Sequence, residues 1–243
     1  MLSAGRALTR RCLRPRTAAA PASAGLHDYQ VSSQLSLAGQ KAVVTGGTAG
    51  VGESITRQFL AAGASVAVVA RDKTKFDHIQ ATVPMEEKDQ LEFIAGDLFD
   101  AENTKEAAKQ AMEWAGGSVD ILVNSAGIAL LDRLEDLTAE KFDATFAVNV
   151  RAPLLMAQGV VSGMIEQRRG KIINISSQAG TAALELHGAY CASKSALDSL
   201  TRVQCVEWSR YVALPAALLL VLLFWPPAHS LTPLPGTTSS ATL

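Results

Sequence analysis

The chain has 243 residues, of which 48% are apolar and 19% charged, and its formal net charge is −1. That length and balance suffice for one large domain with a sizeable core and exclude disorder as the default, and the near-zero charge gives no general attraction to nucleic acid or acidic membranes. Three cysteines, Cys12, Cys191 and Cys205, form no CxxC pair and no disulfide framework, which points to a reducing compartment.

The first stretch, MLSAGRALTRRCLRPRTAAAPASAG, carries Arg6, Arg10, Arg11, Arg14 and Arg16, and no acidic residue precedes Asp28. Arg-rich, Ala/Ser-rich and acid-free is the composition of an organelle transit peptide, mitochondrial before plastid. The alternative is a disordered basic tail on a cytoplasmic protein. Residues 1–30 are therefore set apart from the fold.

The chain then alternates. KAVVTG (41–46) is a short, β-branched apolar run and predicts a buried strand. GTAGVG follows, then ESITRQFLAAGA, in which Ile55, Phe59 and Leu60 keep helical spacing. SVAVVA (65–70) predicts a second strand and LEFIAGDL (91–98) a third. AENTKEAAKQAMEWAGG reads as a helix ending at Gly116. VDILVNSAG (119–127) predicts a fourth strand running into a glycine turn, and KIINIS (171–176) a fifth. Residues 138–168 and 188–210 read as helical. Apolar strands alternating with helices predict right-handed βαβ units, hence a doubly wound parallel α/β sheet of the Rossmann type with three layers, α/β/α.

Such a sheet binds ligands beyond the carboxyl ends of its strands. The first strand ends at Thr45, and TGGTAGVG follows it. Gly46, Gly50 and Gly52 permit a tight turn and a close approach to a pyrophosphate at the next helix N-terminus. The spacing is G-x-x-x-G-x-G rather than G-x-G-x-x-G, and a plain tight turn is the alternative reading. The second strand runs into Ala70, Arg71 and Asp72. A guanidinium there suits a 2′-phosphate and favours NADP(H) over NAD(H), unless Arg71 is an ordinary solvated charge. No cluster of His, Cys, Asp or Glu has metal-ligand spacing.

In HGAYCASK (187–194), Tyr190 and Lys194 are four residues apart and share one helix face. A tyrosine's reference pKa near ~10 is too high for efficient proton exchange near neutrality, and a nearby ammonium lowers it. Ala189, Ala192 and Ser193 are small enough to leave room beside the pair. Cys191, about 100° round the helix, reads as packing. A Ser/His/Asp hydrolase built on His187 lacks a nucleophile elbow.

These segments together resemble the short-chain dehydrogenases/reductases, over about residues 36–211. TGGTAGVG matches the family's T-G-x-x-x-G-x-G loop, GDL (96–98) its adenine-contacting aspartate, and NSAG (124–127) its N-N-A-G, with Ser125 as a departure. VNV (148–150) supplies the helix asparagine, and NISS (174–177) stands thirteen residues before Tyr190. The resemblance implies a cofactor site of Thr45, Gly46, Gly50, Val51, Gly52, Arg71, Asp97, Leu98, Asn124, Ala126, Gly127, Tyr190 and Lys194. It implies that Tyr190 exchanges a proton with a carbonyl or alcohol oxygen. It further implies that Lys194 tunes Tyr190 and holds the nicotinamide ribose, that Ser177 orients the carbonyl, and that Asn149 orders a water leading from Lys194 to solvent. The cofactor supplies the hydride. SSQAG followed by AYCASK is similar to the subgroup acting on sugars, polyols and dicarbonyls. The helices bearing Asn149 and Tyr190 form a dimer surface in the family, which implies a homo-oligomer.

The resemblance stops after Tyr211. The family continues into further strands and a substrate-covering segment. Residues 212–243 are apolar, then Pro/Ser/Thr-rich, and do not resemble that part. The apolar run 212–225 is shorter than the ~20 residues of a spanning helix and is interrupted by Pro215. The last strands of the fold are therefore expected to be missing, leaving KIINIS at an uncovered edge. Three expectations stay open: a working oxidoreductase closed by its tail, a truncated form without turnover, or a non-catalytic interaction or membrane-tethered protein on the same scaffold.

Overall fold

The computed structural model describes residues 36–209. The expectations for 1–30, for Tyr211 and for 212–243 lie outside the described residues. Five strands form one parallel sheet in the order β3-β2-β1-β4-β5, with β1 at Lys41–Thr45, β2 at Ser65–Ala70, β3 at Leu91–Ala95, β4 at Ile121–Asn124 and β5 at Lys171–Asn174. The order reverses at β1, so β2 and β4 flank it, with Thr45 level with both Val69 and Asn124.

The continuous apolar runs are what a sheet covered on both faces requires. Successive side chains point to opposite faces. Val43, Ala67, Val69 and Leu122 enter one core; Ala42, Val44, Val66, Val68 and Val123 enter the other. The first core is closed by α4 (Ala101–Trp114) and α6 (Ala152–Glu166) through Ala107, Ala108, Ala111, Met156, Val160 and Met164. The second is closed by α1 (Gly50–Ala61) and α2 (Lys73–Thr82) through Leu60, Phe76 and Ile79. The helices α4 and α6 approach closely because Gly159 and Gly163 have no side chains: a Cβ on Gly159 would stand 2.5 Å from Ala108 Cβ.

Helix α2 and the single turn α3 (Met85–Lys88) occupy a stretch to which sequence periodicity gave no element. The start of α2 is set by Asp72, whose carboxylate accepts from the Thr74 and Lys75 N–H groups. The predicted segment 138–168 is helical, but not uniformly α. Helix α5 (Ala139–Phe146) passes into α6 through a π-helical turn over Ala147–Arg151. Pro153 has no N–H to give to the Asn149 carbonyl four residues earlier, and the ladder widens there. Helix α7 (Gly188–Trp208) follows β5, and its terminal Trp208 packs against the first core. Among the described residues β5 is paired only with β4, so its outer edge has no strand beside it.

Candidate active site

The carboxyl ends of β1 to β4 open on a cleft of about 600 Å³ lined by Gly46, Arg71, Asp97, Leu98, Ala126 and Gly127, with Lys75 also reaching it. Gly46 has φ +66, and a Cβ on it would stand 2.9 Å from Ala126 Cα. On Gly52 a Cβ would stand 2.3 Å from the Gly46 carbonyl oxygen, so α1 begins hard against the turn. Gly50 has φ +54 and open space where a Cβ would be. The residue before it, Ala49, cannot cap α1, which leaves the first N–H groups of the helix for a ligand. An uncapped helix N-terminus beside an open glycine cradle fits a dinucleotide pyrophosphate.

Asp72 is engaged as the α2 cap, while Arg71 and Lys75 are exposed at the cleft. No motif points to Lys75, which lies beyond both the glycine loop and the end of β2 and reaches the cleft from α2. Asp97 accepts from the Phe99 N–H at 3.1 Å and so shapes its own turn.

A second cleft of about 330 Å³ adjoins the first, sharing Ala49, Ser125, Gly127 and Ile128 with it. Val51, Gly52, Ser177, Tyr190 and Lys194 line it. Tyr190 and Lys194 do share one face of α7, and Lys194 Nζ lies 5.6 Å from the Tyr190 ring centroid. Lys194 is 5% exposed and donates to the Ile175 carbonyl at 2.8 Å. Burial pulls its ammonium down to about 8, and the Asp198 carboxylate partly opposes that. The Ser177 hydroxyl accepts from the Ala179 N–H at 3.2 Å, which leaves its own proton to donate into the cleft. Ser177 can therefore cap this turn and still orient a carbonyl. His187 meets the Tyr190 ring edge-on at 6.0 Å, with Nδ1 held 2.6 Å from the Glu185 carbonyl. Cys191 is half-buried and lines a different, shallow cleft with Asp132 and Leu186.

Four of the expected catalytic and cofactor residues line neither cleft: Thr45, Gly50, Asn124 and Asn149. Thr45 Oγ1 accepts from the Ser125 and Ala126 N–H groups at 3.1 and 3.2 Å and so ties the end of β1 to the turn after β4. Asn124 is buried and donates to Asn174 Oδ1 at 2.9 Å; Asn174 in turn donates to Thr201 and Gln204. This polar ladder fastens β4 and β5 to α7. Asn149, fully buried, clamps Ile128 from both sides: Oδ1 accepts from its N–H at 2.8 Å and Nδ2 donates to its carbonyl at 2.9 Å. Nδ2 also reaches Ser193 Oγ at 3.0 Å. Ser193 is therefore part of the joint between two helices, not space beside Tyr190. Ile128 lies outside every motif, and Asn174, the first letter of NISS, carries no expected role there, because what each does depends on the groups the fold brings beside it.

Comparison with known proteins agrees with this geometry. The family model for short chain dehydrogenase matches residues 40–217. The L-xylulose reductase of Mesocricetus auratus is 40% identical over 174 residues, covering 71% of this chain and 67% of that protein. The D-threitol dehydrogenase of Mycolicibacterium smegmatis is 36% identical over 181 residues, 74% of this chain and 69% of its own. Among solved structures, a metagenomic short-chain oxidoreductase in complex with NADP superposes with a TM-score of 0.67 at 35% identity, covering 72% of this chain and 79% of that one. The chain belongs to the short chain dehydrogenase family and is an NAD(P)-dependent oxidoreductase that interconverts a carbonyl and an alcohol.

Proposed function

We propose that this chain reduces the carbonyl of a small sugar-like or polyol-like substrate, with Tyr190 as the proton donor, and that it favours NADP(H). The observation that carries the reading is the junction of the two clefts, where Ser177, Tyr190 and Lys194 face the end of an uncapped helix N-terminus and glycine cradle. The nicotinamide dinucleotide, when bound, supplies the hydride. Ser177 donates to the substrate carbonyl oxygen and holds it toward Tyr190. The Tyr190 hydroxyl, which has no hydrogen-bond partner among the described residues, gives its proton to that oxygen as the alcohol forms, and takes it back in the reverse direction. The Lys194 ammonium, 5.6 Å from the Tyr190 ring, favours the phenolate left behind. Asn149 holds Ile128 and Ser193, and through them the wall of the site. Its backbone carbonyl lacks a donor from Pro153, which supports a place for water between Lys194 and solvent.

The sugar or polyol class is supported by relatives named for L-xylulose, D-threitol and glycerol. The NADP(H) preference is supported by exposed Arg71 and Lys75 at the cleft and by Asp72 being turned into α2, away from the ribose role an acidic residue has in NAD-binding folds. Pairing of copies through the helices bearing Asn149 and Tyr190, and delivery to the mitochondrion by the Arg-rich start, belong to the same reading. The test is steady-state reduction of L-xylulose, diacetyl and erythrulose by the full chain with NADPH, against Tyr190→Phe. Loss of about 10²-fold or more in kcat is expected of the variant. Equal rates in the two proteins refute the assignment.

A further inference from the structure

One turn beyond Lys194 on α7 lies Asp198, which no motif singles out. It is 6% exposed, and its Oδ1 has no hydrogen-bond partner among the described residues. A buried carboxylate without a hydrogen bond is costly and calls for a compensating charge. The cation one turn back on the same face is Lys194, itself buried. The two do not touch: Lys194 Nζ is spent on the Ile175 carbonyl, and no direct ion pair joins them. The other side of the Asp198 carboxylate meets the loop that follows β5. A Cβ on Gly180 would stand 2.6 Å from Asp198 Oδ2, so a glycine there is what allows the carboxylate to sit against that loop. Ser195 Oγ, between the two charges on α7, donates to the Gly180 carbonyl at 2.6 Å. The same loop begins at Ser177.

We propose that Asp198 is a positioning residue, the buried counter-charge that keeps Lys194 cationic beside Tyr190. The inference rests on the roles proposed above for Tyr190 and Lys194. No other charge competes for that part. On the loop after β5, His187 meets the Tyr190 ring edge-on at 6.0 Å, with its Nδ1 on the Glu185 carbonyl. Arg151 turns to the Phe99 carbonyl, Lys141 pairs with Asp132, Asp143 on α5 is exposed, and Arg202 bonds Ser199 at the surface. Cys191 lines a separate cleft, which leaves Tyr190 and Asp198 as the titratable groups of α7 beside Lys194. Removing the Asp198 charge while keeping its shape therefore leaves the desolvation of Lys194 unopposed, and its ammonium deprotonates at lower pH.

The experiment is competitive amine acylation of Lys194 in the full chain across pH, read by mass spectrometry of the peptide that carries it. Lys194 is 5% exposed and is approached through the second cleft, so a small acylating reagent is used and its slow labelling is compared between variants under the same conditions. Asp198→Asn is expected to lower the pH of half-labelling by about half a unit or more. Asp198→Glu is expected to restore it toward the parent value, and a cooperative melt shows that each variant is folded. An unchanged midpoint in folded Asp198→Asn overturns the proposal. Asp198→Ser, smaller and equally neutral, must move the midpoint the same way. Failure of both neutral variants to fold overturns it too, since Asp198 would then hold the fold rather than a charge. The labelling needs no turnover, so an inert Tyr190 in the reduction assay and a failed counter-charge here are separate results.

Discussion

Asn149→Ala tests whether the family asparagine acts through its side chain as a clamp. The carboxamide is fully buried and satisfies both backbone groups of Ile128, at 2.8 and 2.9 Å. Alanine leaves that N–H and carbonyl without partners. Ile128 is half-buried, so the cost of each is at the low end of the range for an unsatisfied group, about 1 kcal/mol. The space left in a fully buried site adds about 1 kcal/mol. Ser193 loses one contact but still donates to the Tyr190 carbonyl at 2.7 Å, so it adds little. The sum is about 3 kcal/mol, which in a domain of this size lowers the melting temperature by about 6–12 °C. Urea unfolding followed by circular dichroism measures it directly. Because Asn149 and Ser193 share a hydrogen bond, Asn149→Ala with Ser193→Ala must cost less than the two single losses added. A destabilisation below about 1 kcal/mol for Asn149→Ala refutes the clamp and returns the side chain to a purely solvent-ordering role.

Lys194 gives a pH signature. Its folded-state value of about 8 is depressed below that of the unfolded chain, so folding is penalised below pH 8 and the penalty is relieved as pH rises toward the ordinary lysine range. The parent chain should gain melting temperature relative to Lys194→Met between about pH 8 and pH 10.5, and parallel curves refute the buried ammonium. Its reductase activity should fall as Lys194 deprotonates above pH 8. At the cofactor cleft, Arg71→Ala should weaken NADPH binding about tenfold or more and leave NADH nearly unchanged, measured by fluorescence titration. Asp72→Ala should cost about 1 kcal/mol of stability through the lost cap of α2, without weakening NADH; a selective loss of NADH affinity contradicts the capping role. Gly52→Ala should abolish dinucleotide binding or folding, because the new methyl meets a backbone oxygen that no rotamer can move; a melt within about 0.5 kcal/mol of the parent contradicts the packing described for α1.

The strands and the doubly wound plan were legible because period and apolarity are local properties of the chain. KAVVT and SVAVVA can hardly be anything else, and their alternate residues divide between the two cores as a sheet demands. The polar joints were not legible. Thr45 reads in the sequence as the lip of a cofactor loop, yet its hydroxyl serves the backbone of a turn eighty residues on. Asp72 is in the sequence only the charge that follows Arg71, and the start of α2 shows that it is a cap. Asn124 reads as part of a binding motif and lies beneath it, bonded to Asn174. Helix α2 itself was missed because its apolar positions, Phe76 and Ile79, are too few to set a period in a polar stretch. In each case the deciding partner is distant in the chain or is a backbone group without a letter of its own.

The inner and outer parts of the site are fastened very differently. The inner turns after β4 and β5 are locked through their backbone atoms by side chains from three separate elements, Thr45 of β1, Asn149 of the π-helical turn and Lys194 of α7. The outer loops, around residues 131–137 and 181–187, meet through the Asp132 N–H to the Leu186 carbonyl, with Asp132 also paired to Lys141 of α5, and they expose Leu131, Leu134 and Leu186. On the proposed function, proton transfer rests on the inner turns, and the outer loops, which line a separate cleft, are the piece left to shape substrate choice. Exchange of those loops would then change which alcohol fits while the Ser177–Tyr190–Lys194 geometry stays fixed. A chimera that receives these two loops together from another member of the family should inherit the donor's substrate range and keep the recipient's pH dependence.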